Sequence, residues 1–240
     1  MKTNLSLRAL PVALALTAAA SMFHATPARA DDPASTPNTI RAGLYEIFYH
    51  VQSSDVQGPY TPPGARLDVK NTQTAYFAYI RRLTSYLDLE IAGGIPPNTK
   101  TVGKGPATVG SVPYNGQQVA TVKWAAPSAL LEYKFLPESS TLRPYIGVGV
   151  NYTNFYDRKV SQAGAEANGG PTRLSMKNSV GPVGTVGLKY QPLNARWSVI
   201  ASYSFSRVAT DIKTDTDGVI RTAHLNFRPQ ALVIAAGYSF

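Results

Sequence analysis

Apolar and small or polar residues alternate with period two along most of this chain. At the C-terminus Leu232, Ile234, Ala236, Tyr238 and Phe240 alternate with Val233, Ala235, Gly237 and Ser239, a large apolar face against a small one. Trp197, Val199, Ala201, Tyr203 and Phe205 alternate in the same way with Ser198, Ile200, Ser202, Ser204 and Ser206, and Leu87, Leu89 and Ile91 with Asp88 and Glu90. Successive side chains of a strand point to opposite faces, so one face of these segments suits hydrocarbon and the other a hydroxyl-lined interior. A soluble sandwich also alternates, but its apolar face must fill a core. An aromatic final residue closing a strand is typical of outer-membrane barrels.

The alternation predicts eight strands, over residues 39–51, 66–80, 85–95, 119–135, 143–160, 174–190, 196–214 and 219–240. Connections near 81–83, 136–140 and 191–194 are short; those over 52–65, 96–118 and 161–173 are long, and a tight turn over 214–218 comes last. Short turns at one end and long loops at the other define the expected fold: an all-β, eight-stranded antiparallel transmembrane up-and-down β-barrel over 39–240, with the short turns periplasmic. Several strands exceed the nine to eleven residues that cross a bilayer at a tilt, so they should project beyond it. In the last strand, parity places Arg228 and Gln230 outward at or beyond the interface, and Leu225 and Phe227 inward. The many tyrosines, Tyr45, Tyr49, Tyr190 and Tyr238 among them, include enough outward rings for interfacial girdles.

The first thirty residues have a different pattern. Lys2 and Arg8 precede a run over 9–22 made mostly of Ala, Leu and Val, and Ala28-Arg29-Ala30 follows. This predicts an export signal over 1–30, cleaved after Ala30, and a periplasmic tail over 31–38. A membrane-anchoring helix is the competing reading, weakened by Pro11 within an already short run. Beyond it no apolar run approaches the eighteen or so residues of a spanning helix. The absence of cysteine removes disulfides, thiolate metal sites and cysteine nucleophiles.

Charged residues are 15% of the chain, against roughly 25% in a soluble domain, so something other than water should cover part of the surface. Three of the 23 basic residues, Lys2, Arg8 and Arg29, lie in the leader, which leaves 20 against 14 acidic ones. Such a balance usually points to nucleic acid, but export argues against that partner. Outer-membrane lipid and the phosphates of lipopolysaccharide are the available ones, with Lys100, Arg158, Lys159, Arg173 and Lys177 as the facing cations. A closed barrel leaves no strand edge to pair, so a monomer is expected.

Candidate chemistry is sparse. His50 with Ser53, Ser54 and Asp55 has the residue types of a rim hydrolase, but their spacing matches no nucleophile motif, and a polar loop would hold them anyway. His50 and His224 make a poor metal site. Asp211, Asp215 and Asp217 beside Gly218 lack the Glu that completes a calcium loop. The sequence therefore predicts no catalytic residue, metal or cofactor.

Several segments resemble the OmpW family: Arg143-Pro144-Tyr145-Ile146-Gly147-Val148-Gly149-Val150-Asn151-Tyr152-Thr153, Asn71-Thr72-Gln73 and the final Gly237-Tyr238-Ser239-Phe240. Leu89 to Ala92 followed by Pro96, and Arg196-Trp197, fall where that family has counterparts. The resemblance covers nearly all of the chain beyond the leader. It implies a narrow apolar channel that admits small hydrophobic molecules and releases them sideways into the bilayer. The family gate commonly has a bulky Leu and Trp where Ala92 and Val180 align here, implying a wider or differently gated passage. Ala92, Trp124, Leu130, Val180, Leu225 and Phe227 are the expected channel lining.

Lateral exit needs a wall that is not fully hydrogen-bonded, and Pro96, Pro127 and Pro182 each lack a ladder donor. They could instead simply end or bend strands. Asp88, Glu90, Glu132, Lys134 and Lys189 should face inward near the periplasm, either plugging the lumen or merely filling it. The competing function is a structural or adhesive barrel whose loops bind lipopolysaccharide, a host surface or a phage.

Overall fold

The computed structural model describes residues 36–109 and 111–240; the expected leader and most of the tail lie outside them. Eight antiparallel staves close a barrel. Stave one is β1 (Asn38–Phe48) with the short β2 (Gln52–Ser53). Stave two is β3 (Arg66–Val69) and β4 (Thr72–Arg82). Stave three is β5 (Leu87–Gly94) and β6 (Asn98–Lys104), followed by a small hairpin of β7 (Thr108–Val109) and β8 (Val112–Pro113). Stave four is β9 (Gln118–Ala125) and β10 (Ser128–Lys134), stave five the long β11 (Leu142–Val160), and α1 (Gln162–Asn168) comes next. Stave six is β12 (Arg173–Met176) and β13 (Ser179–Tyr190), stave seven β14 (Trp197–Ser206) and β15 (Ala209–Thr216), and stave eight β16 (Val219–Asn226) and β17 (Gln230–Ser239).

Each stave pairs with the next, and β1 pairs with β17 from Thr39 opposite Ser239 to Phe48 opposite Gln230, which closes the ring. The outward face of the membrane part is apolar and exposed, as at Leu44, Phe77, Val148, Val186 and Ile234, which is what a lipid solvent requires. At the end carrying the short turns, Tyr86, Tyr133 and Phe135 pack ring to ring, as do Tyr190 and Trp197, forming an aromatic belt.

The expected long loops are largely folded. Residues 96–118 contain β6 and the β7–β8 hairpin, so stave three continues above the membrane instead of ending at Pro96. Within 161–173, Ser161 caps α1 by accepting from the Gly164 N–H at 3.0 Å, and Gly169 ends it in the left-handed region at φ 86°. Hairpins and a helix supply backbone hydrogen-bond partners within these segments.

Inward glycines let staves approach closely. A Cβ on Gly149 would fall 1.9 Å from the Ala129 carbonyl oxygen and 2.7 Å from Leu130 Cα. Both are backbone of the paired β10 and cannot swing aside. Gly149→Ala is therefore expected to part staves four and five locally and to lower folding stability by about 1–3 kcal/mol. Urea titration of the folded form in vesicles measures this directly.

Candidate functional site

Inside the barrel the side chains fall into three layers. Nearest the short turns lies an ionic layer. Arg41 Nη1 is 2.5 Å from Glu90 Oε2, and its other terminal nitrogen is 3.3 Å from Glu132 Oε2. Lys134 Nζ donates to both oxygens of Asp88 at 2.7 Å. Lys189 is also buried at this end, and Arg143 donates to the carbonyls of Leu136 and Ser85 at the rim. Three cations, Arg41, Lys134 and Lys189, thus face three carboxylates across a lumen whose width is set by eight strands. Arg41, which sequence reasoning passed over, is the central member.

Above it is an apolar layer of Tyr76, Ala78, Ile80, Ala92, Ile200, Val233 and Ala235. Ala92 belongs to this layer, and neither it nor the buried Leu130 lines the cavity above. That cavity, of about 80 Å³, occupies the outer half of the barrel. Trp124, Leu225 and Phe227 line it, together with Ile47, Val69, Val122, Phe155, Val208 and Ile212, over a floor carrying Ser128, Asn151, Thr153, Ser204 and Ser206. Val180 is corrected: it is 73% exposed on the lipid side. Lys189 faces inward in the same strand, and the nine-residue separation reverses the face.

A second cavity, also about 80 Å³, lies farther out. It shares Thr101, Val122, Met176 and Ile212 with the first and is lined in addition by Tyr114, Leu174 and Ala167 of α1. The shared residues form the neck between the two. Arg221 spans the roof, donating to the carbonyl oxygens of Pro59 and Asn168.

The wall has a seam between staves three and four. Their ladder runs to Ala92 opposite Ser128 and resumes at Asn98 opposite Lys123, so Gly93 to Pro97 and Trp124 to Pro127 are not paired with each other. Both margins are tied backward. The Ile95 N–H donates to the Ala75 carbonyl of stave two at 3.2 Å, and the Tyr152 N–H of stave five to the Pro127 carbonyl at 3.0 Å. Pro96 and Pro127 sit on opposite margins and cannot donate across. The Trp124 indole N–H donates to Thr99 Oγ1 at 2.9 Å just above, and Trp124, Ala126 and Ser128 all line the cavity beside the seam. Pro182 does not belong to it. It stands opposite Val150 in a continuous ladder, and its carbonyl accepts from the Arg207 N–H.

The residues considered for catalysis do not converge. Asp55 pairs with Arg66 at 2.6 Å, and this guanidinium holds its carboxyl below the usual carboxylate range. Ser53 and Ser54 donate to backbone carbonyls, and His50 is exposed without a hydrogen bond to any of them. His224 adjoins Ser54 through its backbone N–H, which donates to Ser54 Oγ at 3.0 Å, but its ring is turned to Asp211, 2.8 Å away.

Residues 38–240 match the OmpW family. Outer membrane protein W of Salmonella typhimurium (strain LT2) is 31% identical over 173 residues, spanning 72% of this chain and 76% of the Salmonella protein. The fold is shared with OprG from Pseudomonas aeruginosa at a TM-score of 0.75 and 21% identity, over 85% of this chain and 96% of OprG. It is shared also with the outer membrane protein AlkL, at a TM-score of 0.61 and 20% identity, over 90% and 95% of the two chains. The barrel is thus an outer-membrane barrel, with its apolar outward face in contact with lipid.

Proposed function

The chain belongs to the OmpW family, and from that premise we propose that it is a passive route by which small hydrophobic molecules cross the lipopolysaccharide layer and leave sideways into the bilayer. The observation that carries this reading is the adjacency of a mainly apolar cavity to an unpaired seam in the wall. A solute desolvated in the cavity gains the hydrophobic free energy of leaving water and loses none of it on passing into hydrocarbon, so no energy source is required.

The ionic layer supports the lateral direction. Reaching the periplasm would require an apolar solute to part buried ion pairs, whereas the seam offers an exit with no ladder bonds to break. In this reading the outer cavity is the antechamber, the neck selects by size, and Trp124 is the gate beside the exit. The serine and threonine hydroxyls of the floor would hold water or a single polar group of the solute.

The test is uptake of a labelled medium-chain hydrocarbon by cells whose only such outer-membrane protein is this one. Uptake is expected to exceed that of an empty vector, and Ala126→Trp, which fills the cavity beside the seam, is expected to return it to that level at equal surface expression. Uptake equal to the vector would overturn transport of this solute class in favour of a structural or adhesive barrel.

A further inference from the structure

Staves seven, eight and one keep one register across the break in each. Phe205 stands opposite Gln230 and Ala209 opposite Asn226, so Arg207 stands opposite Arg228. Phe48 stands opposite Gln230 and Gln52 opposite Asn226, so His50 stands on the other side of Arg228. Arg207, Arg228 and His50 therefore form one row across three neighbouring staves. All three are exposed, on the outward face: the residues flanking Arg207 and Arg228 on the inward side, Val208 and Phe227, are buried in the cavity wall.

Like charges directly opposite each other on a sheet repel, and adjacent strands are only about 4.8 Å apart. Among the described residues neither arginine has an acidic partner, in contrast to Lys159 and Lys177, which have Asp157 and Asp211. Arg228 also has a left-handed backbone, φ 43°, inside a stave, where a residue with a Cβ is unfavourable. Repulsion and strain in this one row call for a compensating anion.

The height of the row identifies the anion. Trp197 lies in the belt at the periplasmic end, and Arg207 is ten residues along the same stave. At about 3.3 Å per residue and a tilt near 40°, this is a rise of roughly 25 Å, the height of the apolar band. The row thus sits at the outer-leaflet headgroups. One step below it, Phe205 and Phe48 flank Gln230 and present rings to the acyl chains. We propose that Arg207, Arg228 and His50 form a seat for a phosphate of lipid A, the phosphorylated glycolipid of that leaflet.

The experiment measures binding of bisphosphorylated lipid A to the purified full-length barrel in uncharged detergent, against dephosphorylated lipid A and inorganic phosphate. Charge-assisted bonds to phosphate set the scale: the double variant Arg207→Gln, Arg228→Gln is expected to bind at least about tenfold more weakly than the native protein. The native protein should show the same loss with dephosphorylated lipid A. Without lipid A the double variant should unfold no more easily than the native barrel, since it has lost a repulsion. Arg228→Gly, which also relieves the backbone, is the second variant and should be more stable but weaker in lipid binding. Unchanged lipid A binding by either variant overturns the proposal. So does equal binding of dephosphorylated lipid A by the native barrel, and inorganic phosphate that binds as tightly as lipid A would make the row an anion site and not a lipid seat.

Discussion

Arg41→Leu is expected to destabilise the barrel by about 3–5 kcal/mol, the usual cost of removing one partner from a buried ion pair. Arg41 has 2% of its side chain exposed, and its guanidinium reaches both Glu90 and Glu132, which are likewise enclosed. Without it two carboxylates remain in one narrow lumen with no cation between them. The effect separates from simple loss of packing by a second variant: Arg41→Leu with Glu90→Gln and Glu132→Gln should recover most of the stability, because the uncompensated charges are gone. Urea unfolding in vesicles measures both. A triple variant as unstable as the single one would mean that the Arg41 stem and its approach to the Tyr145 ring, 5.9 Å from the centroid, matter more than its charge.

The second large effect concerns the seam. The chain has no cysteine, so a pair introduced at Ile95 and Ala125 has no other thiol within the chain to oxidise with. Continuing the register of β5 and β10 across the seam brings these two positions opposite each other, one on each margin. A disulfide there would bridge the margins that lack ladder bonds, without entering the cavity, since neither residue lines it. If solute leaves through the seam, the oxidised barrel should carry none of it while the cavity stays intact.

Much of this architecture follows from parity. Once Asp88 and Glu90 are read as inward, Ala92 is inward as well, and the same rule places Glu132 with Leu130, and Leu225 with Phe227; all are buried. Parity applied to stave one would also have placed Arg41 inward, since Ile40, Ala42 and Leu44 form its apolar outward stripe. It was obscured because one charge in an apolar strand draws less attention than paired acids. Val180 shows the opposite case: its alignment with the family gate points it inward, whereas the alternation that puts Lys189 inward turns it to the lipid side.

Other features were not legible. Above the membrane both strand faces can be wet, so β6 lacks the large-apolar stripe that marks a lipid-facing strand, and its residues read as loop. The helix α1 has its cap residues, Ser161 and Gly169, but seven residues are too few for a periodic apolar face. The seam depends on where two ladders stop, which prolines hint at and pairing alone decides; Pro96 and Pro127 mark it, while Pro182 is an ordinary member of a continuous strand.

The central claim is sideways release, and it is tested most directly by hydrocarbon uptake through the Ile95→Cys, Ala125→Cys barrel in its reduced and oxidised states. Disulfide formation is scored by mass and surface expression is held equal. Uptake should equal that of the native barrel when reduced, fall to the empty-vector level when oxidised, and return with reductant. Uptake that proceeds undiminished through the fully oxidised barrel would contradict lateral exit through the seam.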